Sequence, residues 1–325
     1  MNTNFKTIGL LFLLVINFVS CDNSDGDNNN LVLPPSAAAF KGITEKGIKK
    51  NTQNFTITAG TGVITLTSAK GVKLNINGDC LTKNGVAVTG VVDIEYIELF
   101  DKGNMLITNK PTMGVMPDGK KNLLISGGEF FIKATQGGVE LKTSCYMNLI
   151  IPAALTDGVD NTMTLWNGII DDKGELAWEQ PKPNADGTGG VQGEGTNYYV
   201  TFGNFGWTNV DRFYSDPRPK TTLLADAPDG YDNNNSAVYL SYDGEGTNAL
   251  AKLDTYTAAG LFSEHYGQIP IGLKCHVIFV TEDNGQWRYA IKAVTIAAND
   301  VYTFTLAETI VGTEAQLVAA INAIQ

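Results

Sequence analysis

From Asn51 to the C-terminus, short runs of alternating apolar and polar residues recur, each cut off by a glycine-bearing turn. "NFTIT" puts Phe55 and Ile57 on one face, "GVITLTS" puts Ile64 and Leu66 there, and "VKLNING" does the same with Leu74 and Ile76. Period-two alternation suits a strand with one face in a core, because successive side chains leave opposite sides of the backbone. Glycine is abundant at 35 residues, and turn signals such as "TKNG", "DKGN" and "TQGG" separate the runs. The pattern predicts a mainly β chain: two antiparallel β-sandwich-like domains with a short C-terminal helix.

Segment boundaries follow from changes in pattern. Residues 51–155 carry six or seven short strands, among them "GVVDIEYIELF", "NMLIT", "LLISGGEFFIKAT" and "SCYMNLIIP", and predict the first β-sandwich domain. Residues 156–197 read as a connection. "TLWNGIIDDKGELAWEQ" forms a hairpin turning at "DDKG", and the stretch from Pro181 to Asn197 is a Gly/Pro-rich loop. Residues 198–325 predict a second β-rich domain with strands at "AVYLSYD", "KCHVIFV" and "WRYAIKAV", and with Tyr302, Phe304 and Leu306 on one face of another. "GTEAQLVAAINAIQ" closes the chain as a helix. Thr313 and Gln316 form a capping-box pair, and Leu317, Ile321 and Ile324 an apolar stripe expected to close one side of the second domain.

The N-terminus is of another kind. Ile8 to Val19 is apolar apart from Asn17, about the length of a secretory core and too short to span a bilayer comfortably. Phe18-Val19-Ser20-Cys21 resembles a bacterial lipobox, which implies cleavage after residue 20 and acylation of the Cys21 thiol. Two or three acyl chains anchor a protein stably where one binds only marginally. Asp22, Asp25 and Asp27 follow at once, similar to the export signal of surface-exposed lipoproteins in Bacteroidota. Residues 1–20 are therefore expected to be a lipoprotein signal peptide. Residues 21–50, rich in Asn, Asp, Pro and Ala without a sustained period, are expected to be a flexible tether.

A second resemblance covers roughly residues 50–215. The run from "GDCLTKNGVAVTGVVDIEYIELFDKGNMLITNKPT" to "MNLIIP", with "FGNFGWTNVDRFY" after it, resembles a module common in Bacteroidota surface proteins. That module is similar to carboxypeptidase-regulatory-like and netrin-receptor-like β-sandwiches. The resemblance implies a fold and a surface location and no catalytic activity.

Net charge is −11, and removal of residues 1–20 takes Lys6 with it and leaves −12. Such a surface repels phosphate backbones, which argues against nucleic acid as a partner. With Cys21 acylated, Cys80, Cys145 and Cys275 remain, each alternating with apolar neighbours. Buried free thiols are the expectation, with a Cys80–Cys145 bridge as the alternative.

Catalytic patterns are weak. His265 and His276 stand eleven apart, outside any zinc motif, and His276 reads as a structural strand residue. "GEGTNA" (Gly244 to Ala249) matches a dinucleotide fingerprint in letters and lacks its βαβ context, so a glycine hairpin loop is expected. "DGYDNNNS" (Asp229 to Ser236) lacks the order of a calcium loop and reads as a polar loop. Asp93, Glu95 and Glu98 read as a solvated sheet face. Trp207 reads as core beside an Asp211–Arg212 clamp, while Trp178, next to the Gly/Pro-rich loop, is the tentative ligand-contact residue.

The sequence thus predicts a non-enzymatic lipoprotein without cofactor or metal, held at the outer membrane through Cys21 and facing the cell exterior. Its role would be a binding or adhesion module, or an accessory subunit with a protein partner in a membrane complex. The alternative is a glycan-binding lipoprotein for nutrient capture. A third reading, a hydrolase, requires a deep cleft ringed by carboxylates or His276. Mass spectrometry of the mature protein is expected to find a chain that begins at Cys21 with acyl chains on its thiol. An unmodified Cys21, or a chain retaining residues 1–20, would remove the anchor from the picture.

Overall fold

The strand Lys121–Gln136 is buried on both of its faces from Asn122 to Phe130, and the architecture is organised around it. The computed structural model describes residues 32–171, 174–182, 189–246 and 248–325. Within them, Pro34–Gln325 forms one compact unit. The fold is mainly β, with three α-helices.

Four of the five sheets form two pairs, and the fifth is a small three-stranded one, Lys142–Thr143, Leu81–Lys83, Val86–Ala87. In the first pair, the larger sheet runs in the order Thr52–Ala59, Gly90–Leu99, Lys121–Gln136, Gly206–Phe213, Thr164–Ile170, Leu176–Glu179, Met113–Val115. The pairing is antiparallel except between the last two. The smaller sheet runs Gly190–Glu194, Asn197–Phe202, Met147–Pro152, Lys73–Asn77, Val63–Thr67. Ile94, Tyr96, Phe130 and Ile132 of the larger sheet share one apolar core with Leu74, Ile76, Leu149 and Val200 of the smaller. The second pair consists of Thr255–Tyr256, Phe262–Pro270, Lys220–Asp226, Val301–Thr303, and Ala251–Lys252, Ser236–Tyr242, Lys274–Asp283, Gln286–Thr295, Ile310–Gly312. Leu223, Phe262, Val277 and Phe279 belong to the same continuous core.

Turn chemistry behaves as the sequence indicates. Asn84 and Gly85 take φ of 52° and 83° between Leu81–Lys83 and Val86–Ala87, and Asn284 and Gly285 take 51° and 83° between Lys274–Asp283 and Gln286–Thr295. Two consecutive positive φ values give the type I′ hairpin that Asn-Gly favours. The strands expected on either side of "DDKG" pair antiparallel, with Ile170 opposite Leu176; Asp172 and Lys173 lie outside the described residues.

Several expectations are corrected. The tether assigned to residues 21–50 ends early, because Ala37–Asn51 is a helix, α1. Ser36 caps it, its Oγ accepting from the Ala39 N–H at 3.1 Å. Only Ile43 and Gly47 of α1 are buried, so its apolar stripe is too narrow to stand out in the sequence. "NMLIT", expected as a strand, lies in helix α2, Lys102–Ile107. Asp101 caps α2 through the Asn104 N–H at 2.9 Å, and Met105, Leu106 and Ile107 are fully buried. A short run buried on all sides has no readable period, and the cap decides its conformation. The hairpin within the expected connector 156–197, and the strands Asn197–Phe202 and Gly206–Phe213, all pair into the first two sheets. The change from first to second pair therefore falls after Phe213 rather than at residue 198.

The C-terminal helix α3, Glu314–Asn322, carries the expected capping box: the Gln316 N–H donates to Thr313 Oγ1 at 3.3 Å, and the Thr313 N–H to Gln316 Oε1 at 2.8 Å. Leu317 and Ile321 pack with Trp287 and Tyr289 of the second pair, as expected, and the helix also packs on α2. Asn322 Oδ1 accepts from the Gly103 N–H at 2.8 Å, and Asn322 Nδ2 donates to Asp101 Oδ1 at 2.9 Å. A side chain at Gly103 would meet the Val318 carbonyl at 2.7 Å, so the approach requires glycine. Lys102, fully buried, donates to the carbonyls of Gly246 at 2.9 Å and Ile324 at 2.7 Å. Burial lowers its pKa to about 8.

Cys80 and Cys145 form a disulfide across 65 residues of sequence, with Cα atoms 5.6 Å apart. This corrects the expectation of two free thiols. The two residues end up beside each other because Ser144 donates its N–H to the Cys80 carbonyl at 3.1 Å, next to the Lys142↔Thr82 pairing. Restricting the unfolded chain over a loop of that length contributes about 4 kcal/mol. Cys275 remains a buried free thiol, as expected, its pKa pushed up to about 12 by burial.

Gly47 supplies a test of the α1 assignment. Replacing glycine by alanine in a helix ordinarily stabilises by about 0.5–1 kcal/mol. Here the new Cβ would sit 2.6 Å from the Ile107 carbonyl oxygen of α2. Gly47→Ala is therefore expected to destabilise by about 1–3 kcal/mol in denaturant unfolding, and a stabilised variant would contradict the α1–α2 packing.

Candidate binding pocket between the sheet pairs

Of the two site residues named from sequence, Cys21 lies outside the described residues. Trp178 is described, and it is not a surface residue. It is fully buried, its Nε1 donates to the Pro111 carbonyl at 3.0 Å, and its ring meets Trp207 edge-on at 6.3 Å. Pairing of Leu176–Glu179 with both Thr164–Ile170 and Met113–Val115 turns this side chain inward, toward Leu124, Trp166 and Leu176. Proximity to a Gly/Pro-rich stretch says nothing about which face of a strand is covered. Trp166 and Trp287 are buried as well, while Trp207 is half-buried against Phe131 and beneath Lys110, whose Nζ lies 5.6 Å from its ring centre.

Other expectations divide. His276 is a paired strand residue, its Nδ1 2.8 Å from Asp243 Oδ1. The Asp229–Ser236 segment is a polar loop in which Asp232 Oδ1 accepts from the Asn234 N–H at 2.8 Å. Glu98, by contrast, is not on a solvated face. It is buried and accepts from Ser68 Oγ at 2.7 Å, Tyr96 OH at 3.2 Å, Gln53 Nε2 at 3.1 Å and the Lys70 N–H at 3.1 Å. The Asp211–Arg212 clamp does not form. Arg212 Nε instead donates to Asp160 Oδ2 at 2.6 Å, and Asp211 Oδ2 accepts from Asn209 Nδ2 at 2.6 Å.

The sequence reading missed a charged layer where the second pair of sheets covers the first. A β-bulge between Asn209 and Asp211 brings both side chains to the face shared with Ser126 and Glu129. Glu129 and Asp211 are fully buried, and Glu129 has neither oxygen hydrogen-bonded. Burial raises both carboxyls well above their ordinary range; for Glu129 the nearby Asp211 adds to the rise and Lys110 opposes it.

Further along this junction a pocket of about 340 Å³ opens, walled by Glu175, Asn233, Asn234, Lys252, Asp254 and Phe262, with Ser236, Leu253 and Thr255 completing it. Lys252 Nζ donates to Glu175 Oε2 at 2.5 Å and to Asn109 Oδ1 at 3.0 Å, and lies 5.9 Å from the Tyr239 ring centre. Asn109, at φ 53°, also accepts from Tyr239 OH at 2.7 Å. Asp254 Oδ2 accepts from Lys121 Nζ at 2.5 Å and Tyr266 OH at 3.0 Å. The walls therefore come from the 164–179 hairpin, the 228–236 loop and the second pair of sheets, with Asn109, just past α2, holding Lys252 in place. No single motif holds these residues, and only the tertiary fold brings them together. A larger surface pocket, about 420 Å³, lies beside Cys145, Tyr146, Lys182 and Gly189.

Behind Asp254, Glu264 is buried at a bulge in Phe262–Pro270, where its carboxylate accepts from the Gly267 N–H at 3.2 Å and the Gln268 N–H at 3.4 Å. Burial, aided by Asp254, pushes its pKa up to about 7 from 4.5. The native state therefore takes up this proton before the unfolded state does, so the group costs stability above pH 7 and the cost disappears as pH falls toward 4.5. Glu264→Gln is expected to be more stable than wild type at pH 8, by up to about 3 kcal/mol, with the difference shrinking toward pH 4.5. A difference independent of pH in paired unfolding curves would contradict this placement.

Among the described residues, no group of three or more His, Cys, Asp and Glu is arranged to hold a metal ion. No described helix is long and apolar enough to cross a membrane. No protein-family model matches the chain, and no curated protein matches its sequence.

Proposed function

We propose that this chain is a lipid-anchored outer-membrane surface protein that acts by binding, as an adhesin-like module or as an accessory subunit of a membrane protein complex. The observation that carries the reading is the Cys80–Cys145 disulfide in a chain whose N-terminal apolar run stops at Ser20-Cys21. Disulfides persist in oxidising, extracytoplasmic compartments and are rare where thiols are kept reduced. The similarity of residues 50–215 to Bacteroidota surface modules supports the same address. An acidic surface, at −12 for the chain from Cys21, suits contact with protein or glycan rather than nucleic acid.

The glycan-binding alternative loses the feature first advanced for it, since Trp178 is buried. It keeps a different one, the polar pocket at Glu175 and Lys252. Protease added to intact cells is expected to remove the protein, and cross-linking before detergent extraction is expected to recover a stoichiometric outer-membrane partner. Protection in intact cells with digestion only after lysis would overturn the surface location, and recovery as a lone species would overturn the subunit role.

A further inference from the structure

We infer that the cavity walled by Glu175, Lys252, Asp254, Asn233, Asn234 and Phe262 receives a neutral polyhydroxylated molecule, of which a sugar residue is the fitting class. This rests on the reading of the protein as one that acts by binding, and names what this pocket binds.

Charge is the first argument. Each carboxylate in the cavity already holds an ammonium: Glu175 holds Lys252, and Asp254 holds Lys121. The four formal charges cancel. Lys252 and Asp254 are less than a tenth exposed at their side chains. An ionic ligand would have to break a built pair or enter without a counter-charge, and both are costly in a partly desolvated site. A neutral ligand meets no such cost.

Hydrogen-bonding capacity is the second. Asn233 is exposed, and its side-chain amide has no partner among the described residues, leaving a donor and an acceptor. Asn234 spends its Nδ2 on Asp232 Oδ1 at 3.1 Å, which leaves its own Oδ1. Glu175 gives Oε2 to Lys252 and keeps Oε1. Mixed donors and acceptors facing one space suit hydroxyl groups, each of which both gives and accepts. Phe262 and Leu253 add an apolar wall against which the C–H face of a sugar ring can pack. A volume of 340 Å³ is at the lower end of small-molecule sites, roughly 300–1,000 Å³, and admits one ring rather than a polymer.

The test uses the detergent-solubilised full chain, with saturation-transfer NMR and calorimetry. Glucose, galactose and N-acetylglucosamine serve as neutral probes, glucuronate as the anionic and glucosamine as the cationic counterpart. At least one neutral sugar is expected to bind in the roughly millimolar range usual for so few atoms, about tenfold tighter than either charged probe. Matching oligosaccharides tell a chain end from a free sugar: equal or tighter binding of the oligosaccharide means a chain end, weaker binding a free monosaccharide. The double variant N233A/N234A should weaken binding about tenfold with an unchanged melting temperature, because its backbone contacts remain. Lys252→Met leaves Glu175 unpaired and should shift preference about tenfold toward glucosamine. If that variant does not fold, Glu175→Gln should shift preference toward glucuronate. Absence of neutral-sugar binding at millimolar concentrations, preference of the wild type for a charged probe, or full binding by N233A/N234A would overturn the assignment. None of these results bears on Cys21 acylation, so failure here and failure of the surface-anchor reading are separate outcomes.

Discussion

A strand with no face for water sets the terms for this molecule. Between Asn122 and Phe130 the strand Lys121–Gln136 packs one side into the sandwich core through Leu123, Ile125 and Phe130. Its other side carries Leu124, Ser126 and Glu129 and needs a second cover. That cover comes from the 164–179 hairpin, through Trp166, Leu176 and Trp178, and from the loop at Asn248, whose Nδ2 donates to the Ser126 carbonyl at 2.7 Å. Antiparallel sheets more often leave one face to solvent. Here the larger sheet curls back on itself, Met113–Val115 pairing with both Leu176–Glu179 and Lys121–Gln136, while the second pair of sheets meets the face that carries Leu123, beside Leu240 and Ile269. Residues 34–325 thus form one compact unit with a continuous core.

Covering a sheet in this way buries polar groups, and most of them are answered locally. Lys102 spends its ammonium on the Gly246 and Ile324 carbonyls, tying α2 to a loop and to the end of α3. Lys252 is shared between Glu175 and Asn109. Glu98 collects four donors. Glu129 is an exception, a carboxyl with neither oxygen hydrogen-bonded and with its pKa raised by burial; Ser241 Oγ and Trp287 Nε1 are likewise buried without a partner among the described residues. The pocket stands at the edge of this layer, where the cover stops and paired charges meet open volume.

Much of the local structure was legible. Alternation at Leu74/Ile76 placed core-facing residues correctly, and Asn-Gly marked its hairpins. The capping box at Thr313 and Gln316 fixed the start of α3. Where reading failed, an element was buried on more than one side or barely buried at all. "LLISGGEFF" breaks alternation because both faces are covered, which was the available sign of a second layer. α2 has no period to read, and α1 has too little apolar surface. The pocket escaped notice because Glu175, Asn233, Lys252 and Asp254 are unremarkable singly, spread over about eighty positions.

By itself, the sequence determined the β-rich class, the turns and the helix cap, since these depend on neighbours a few residues apart: pleat alternation, positive φ at glycine and asparagine, and a side chain reaching the next turn's N–H. It also carries the apolar run that stops at Cys21, on which the proposal of acylation rests. Only the tertiary structure decided that Trp178 is interior, that Cys80 and Cys145 pair, that α2 meets α3, and that four charged groups from distant segments cancel around one cavity. Burial and pairing across long separations depend on which faces the whole fold brings together, and no local pattern encodes that.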